Sequence, residues 1–179
     1  MMTWLSDSTV ARLRDQLRAR GQRPSIVLDA NVTADVAETM NLLAEFGPIC
    51  EAMYLMMSAD GTVSNDERDV LKGALRNLSG DTLRSIHIES MLDAASKKIA
   101  EDGREKRMQE TIHALHEDAA RSEVAFVLAA AIAFADNAIA DEENETLNAF
   151  AEGLGIDDAR ANELLDSVER DLSSGGRLA

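Results

Sequence analysis

Two short acidic segments carry the clearest chemical signal in this 179-residue chain. The first reads Asp60-Gly61-x-Val63-x-x-x-Glu67 and the second Asp136-Asn137-x-Ile139-x-x-x-Glu143. Carboxylates are hard ligands suited to Ca2+ or Mg2+. Asp60, Glu67, Asp136 and Glu143 are therefore the candidate ligands of a divalent cation, and neighbouring Asp66, Asp141 and Glu142 deepen the negative potential. The spacing copies the second half of an EF-hand loop, with Asp at position 5, Gly at 6, an aliphatic residue at 8 and Glu at 12. Positions 1 and 3 then fall on Met56 and Ser58, and on Ile132 and Phe134 in the second copy. An EF-hand needs oxygen ligands at those places, so neither segment is one.

A purely structural reading accounts for the same residues. Gly61 and Asn137 suit the left-handed position that closes a helix, and Val63 and Ile139 return an apolar side chain to a core. Ser64-x-x-Glu67 is a capping box, in which hydroxyl and carboxylate satisfy the amide donors at a helix start. In the second copy Ala140 stands where Ser64 would recur, which leaves Asp141 as the cap.

Other reactive residues lack partners. Glu110-x-x-His113-x-x-His116-Glu117 contains the Glu-x-x-His spacing of di-iron helices, but such centres need two of these helices and two more carboxylates. The remaining histidine, His87, has no such neighbourhood. Met108, Ile112, Leu115 and Ala119 make the apolar stripe of this helix, so Glu110, His113 and Glu117 are expected to face solvent. The single cysteine, Cys50, sits in the apolar stretch Ile49–Met57, which predicts a buried, inert thiol and excludes an internal disulfide. No Gly-rich phosphate loop and no Gly-x-Ser-x-Gly is present, so no enzymatic activity is expected.

The elements that must position the acidic segments are helices. Ala, Leu and Met are plentiful, aromatic residues make up only 3%, and no alternating strand-like run occurs. Expected helices cover residues 6–20, 33–46, 48–59, 65–78, 81–100, 104–118, 124–135, 141–154 and 157–171, with a break at Gly47-Pro48 because Pro suits the first turn of a new helix. The stretches 49–57 and 124–135 are apolar nearly all round, which places them at the centre of a bundle. With an offset of 76, Ala59-Asp60-Gly61-Thr62-Val63-Ser64 aligns with Ala135-Asp136-Asn137-Ala138-Ile139-Ala140, and Glu67, Leu71 and Leu78 meet Glu143, Leu147 and Leu154. The expected fold is all-α, a single-domain bundle of about eight helices with an internal pseudo-twofold repeat.

Met56-Met57-Ser58-Ala59-Asp60-Gly61-Thr62-Val63-Ser64-Asn65-Asp66-Glu67 resembles the characteristic segment of TerB-like proteins, the tellurite-resistance family. That segment also occurs in the N-terminal part of DjlA-type co-chaperones. The resemblance covers roughly residues 33–171. It implies an all-helical fold, a cytoplasmic or inner-membrane-associated protein, and a divalent-metal role in stress response, without established catalysis. Two positions depart from the pattern: Asn137 replaces the Gly of the second turn, and Ala140 removes an oxygen.

Composition narrows the remaining classes. A net charge of −15 excludes unspecific nucleic-acid binding, which requires Lys and Arg to neutralise phosphates. The charge is uneven: Arg12, Arg14, Arg18, Arg20 and Arg23 outnumber Asp7 and Asp15 in residues 1–24, so the acidic excess lies in the rest of the chain. The expected organisation is therefore a basic N-terminal helix and connector (1–32), the TerB-like domain (33–171) and a flexible tail (172–179). Trp4, Leu5 and the Arg-rich helix either pack across the acidic body or dock on a protein partner or the inner membrane surface. The longest apolar run, Val124–Ala135, falls well short of the ~20 residues that span a bilayer, and a cytoplasmic location is expected.

Overall fold

A computed structural model describes residues 5–19, 34–59, 63–134 and 141–175. The described residues form eight α-helices and no strand: α1 (Asp7–Ala19), α2 (Ala34–Met57), α3 (Asn65–Leu78), α4 (Ser85–Asp102), α5 (Arg104–Leu115), α6 (Ala119–Phe134), α7 (Asp141–Gly153) and α8 (Asp158–Gly175). The protein is an all-α bundle, as its composition requires. Its centre is α2 packed against α6. Ile49, Met53, Leu55 and Met56 on one helix, and Val124, Leu128, Ala129 and Ala130 on the other, are wholly shielded from solvent. Helices α3 and α4 pack on α2, and α7 and α8 on α6. Helix α5 lies against α2, α4 and α7.

One boundary differs sharply from expectation. Residues 33–46 and 48–59 were expected as two helices, yet α2 runs unbroken through Pro48. Proline removes the N–H that would bond the carbonyl four residues earlier, and its ring crowds that carbonyl. The carbonyl in question belongs to Ala44, and Arg121 of α6 serves it: Nη2 donates to Ala44 O at 3.1 Å and to Glu45 O at 2.9 Å. A donor from the facing helix thus replaces the missing amide, and the helix continues.

A second contact of Arg121, through its backbone amide, explains the early start of α6. It begins at Ala119 rather than 124, because Asp118 accepts the Arg121 amide at its N-terminus. Its first polar residues are buried with partners, Arg121 on α2 and Ser122 donating to Leu115 O at 2.7 Å. Ala119 itself is exposed and takes no part in the stripe of α5. Asp81, with φ 65°, keeps the chain in a turn that delays α4 to Ser85. At the other end α8 extends to Gly175 because Leu172 follows Ala161 and Val168 into the core.

Helix α1 packs across the body, against α3 and α6. Its stripe of Val10, Leu13 and Leu17 is buried together with Leu5. Ser6 holds its start to α8, donating from its amide to Asp171 Oδ2 at 2.8 Å and from its hydroxyl to Oδ1 at 2.9 Å. Midway along it Arg14 Nη1 donates to Asn77 O at 3.2 Å. Trp4, the connector at 24–32 and residues 176–179 lie outside the described residues.

Candidate functional site

Each acidic segment follows a central helix. The first leaves α2 through Ser58 and Ala59, whose amides bond back to Tyr54 O at 2.9 Å and Met56 O at 3.1 Å. Asp60 and Gly61 lie outside the described residues, as do Asp136, Asn137, Ile139 and Ala140 of the second segment. Beyond the first turn, Val63 packs against the core as its apolar character predicts. Ser64 is the N-cap of α3, with φ −79° and ψ 162°. Its hydroxyl accepts the Glu67 amide at 3.2 Å, and its own amide donates to Glu67 Oε2 at 2.6 Å. The capping box expected from Ser64-x-x-Glu67 is formed.

Past the second segment, α7 begins with Asp141, Glu142 and Glu143, three acids where the helix dipole favours them. One turn on, Thr146 is buried and donates to Glu142 O at 2.7 Å. Arg104, at the start of α5, then joins the two regions. Its Nη1 donates to Ser58 Oγ at 3.2 Å and its Nη2 to Thr146 Oγ1 at 3.0 Å. The residue before the first turn is thereby tied to the helix that follows the second. Burial pushes the Arg104 pKa down, since the charge is held partly away from water.

Sequence reasoning missed Arg104. Nothing in Gly103-Arg104-Glu105-Lys106-Arg107 separates one cation from the next. Only packing shows that Arg104 faces Ser58 and Thr146, while Arg107 forks onto Glu51 of α2 at 2.6 and 3.0 Å.

Carboxylate oxygens are the donors that a hard cation takes. Ser64 engages one oxygen of Glu67, and a carboxylate has lone pairs on both. Of the four residues expected as ligands, Glu67 and Glu143 fall within the described residues. Among the described residues, no group of three or more His, Cys, Asp or Glu is arranged to hold a metal.

His113 on α5 and His116 at its C-cap are exposed, with ring centroids 5.3 Å apart, and Glu110 and Glu117 are exposed as well. Cys50 is buried, and burial followed by the neighbouring Glu51 carboxylate pushes its thiol up to about 12. Among the described residues, no helix is long and apolar enough to cross a membrane.

An all-helical bundle in which an acidic stretch of sequence follows each of the two central helices is the class these features define. The family model described as "Tellurite resistance protein TerB" matches residues 49–166, more than half of the chain. The chain belongs to the TerB family. The match takes in both acidic segments and Arg104, and leaves α1 outside. Neither the curated proteins nor the solved structures give a match.

Proposed function

We propose that this TerB-family chain is a non-catalytic protein of a tellurite-resistance-type stress response, and that it binds a divalent cation, Ca2+ or Mg2+, at its paired acidic turns. Asp60, Glu67, Asp136 and Glu143 supply the oxygens. The reading is supported above all by Arg104, whose bonds to Ser58 and Thr146 tie the residue that leads into the first acidic segment to the helix after the second. It acts in the cytoplasm or at the inner membrane surface, through protein partners.

A second reading is favoured by the Ser64–Glu67 capping box. In it the acids cap helices only, and the chain is a structural adaptor. Thermal unfolding of chelated protein, titrated separately with Ca2+, Mg2+, Mn2+ and Zn2+, separates the two. A cation at ~100 times its dissociation constant adds ~2.7 kcal/mol. The cation reading requires a saturable rise that disappears in Asp60→Asn and Glu143→Gln, with little harm to the chelated protein. A flat response to all four ions refutes it, and the cap reading then expects each change to cost ~1 kcal/mol with or without cation.

A further inference from the structure

The two halves of the chain treat one position in opposite ways. In the first, α3 packs on α4, and two ion pairs lace them together: Arg68 with Asp93 at 3.2 Å and Lys72 with Glu89 at 2.5 Å. The offset of 76 carries Arg68 and Lys72 onto Asn144 and Asn148. Laying the eighteen residues of α8 on the eighteen of α4 carries Glu89 onto Asn162 and Asp93 onto Asp166. Neither counterpart of Arg68 or Lys72 is a cation, and among the described residues no comparable packing joins α7 to α8.

Burial follows the same contrast. Leu75 and Leu92 are fully shielded between α3 and α4. Their counterparts, Ala151 and Leu165, are only partly buried, and a smaller residue stands where Leu75 stood. The result is a groove of about 750 Å³ between α6, α7 and α8, floored by Phe134, Ala151, Ile156 and Leu165. Glu152, Asp157 and Asp158 also line it, and no Lys or Arg does.

We propose that this groove is the docking site for an amphipathic helix of a partner protein, one that carries Lys or Arg beside its apolar residues. The apolar floor takes the apolar face of such a helix, which is the common way a helix is held between two others. The carboxylates select its charge and steer its approach. A second copy of this chain fits poorly, because each copy carries a net charge of −15. This proposal does not depend on a cation at the acidic turns, and its test is run in chelator to keep the two apart.

The probe is a fluorescein-labelled eighteen-residue helical peptide of Leu, Ala and Lys, compared with one in which Glu replaces every Lys. Saturable binding of the Lys peptide is expected, at least tenfold tighter than the Glu peptide, with amide shift changes confined to α6, α7 and α8. Asn148→Lys with Asn162→Glu copies the Lys72–Glu89 pair into the second half at unchanged net charge. Ala151→Leu copies Leu75. Both folded variants are expected to lose at least tenfold in affinity. Unchanged affinity in both would mean diffuse charge attraction and would overturn the proposal. So would shift changes on another face, or a concentration-dependent dimer in sedimentation that occludes the groove.

Discussion

Replacing Arg121 by Met tests how α2 survives its proline. The guanidinium donates to two backbone carbonyls of the facing helix, at 3.1 and 2.9 Å. Bonds to charged groups contribute ~1.5–3 kcal/mol, and a buried polar group left without a partner costs ~1–3 kcal/mol. Met recovers some of this by removing a buried charge whose pKa is pushed down by desolvation. The net expectation is a loss of ~2–4 kcal/mol. The informative variant is the double one, with Pro48→Ala added. An alanine in place of Pro48 restores the missing amide, which can bond Ala44 O, so the two changes must couple. Pro48→Ala should help the Arg121→Met protein more than the parent by ~1–2 kcal/mol. Urea unfolding followed by far-ultraviolet circular dichroism gives the four free energies. Additivity within ~0.5 kcal/mol would show that the two sites are independent and would refute the explanation of the unbroken helix.

Cys50 predicts a pH dependence. Its pKa rises from an ordinary 9.0 to about 12 on folding, so the native thiol keeps a proton that the unfolded thiol loses. The stability it contributes is full below about pH 9 and falls by ~1.4 kcal/mol per unit as pH rises toward about 12. Unfolding free energies of the parent and Cys50→Ala should begin to diverge near pH 9 and approach that slope by about pH 10.5; parallel curves would contradict it. Glu51→Gln breaks a fork in which both side chains are more than four-fifths buried, and should cost roughly 3 kcal/mol in urea unfolding. Glu51→Leu with Arg107→Met should cost less than Glu51→Gln, because it also removes the buried Arg107 charge, which Glu51→Gln leaves with only the more exposed Asp102 at 3.5 Å. Gly73→Ala, in open space midway along α3, should raise stability by ~0.5–1 kcal/mol. Gly153→Ala should show no such gain in thermal unfolding, since its Cβ would meet Ile112 at 2.7 Å.

Short-range patterns were legible in the sequence. Apolar residues all round 49–57 and 124–133 specify central helices whatever lies beside them. Ser64 and Glu67 cap α3 within four residues of chain. The burial of Cys50 and the exposed face of His113 follow from helical spacing alone. Of the four proposed ligands, Glu67 is placed in the role its spacing announces as a cap, and its further use as a ligand is a matter for the titration.

What tertiary structure decided depends on partners far along the chain. Gly47-Pro48 reads locally as a stop, and becomes mid-helix because Arg121, more than seventy residues away, supplies a donor. Arg104 is one cation among several until Ser58 and Thr146 converge on it. The basic leader's apolar stripe states that α1 packs on something, and the fold chooses α3 and α6. Periodicity and capping are written in neighbouring residues, because their hydrogen bonds close within one turn. Which helix faces which depends on the shape and charge of surfaces that meet only when the chain is folded.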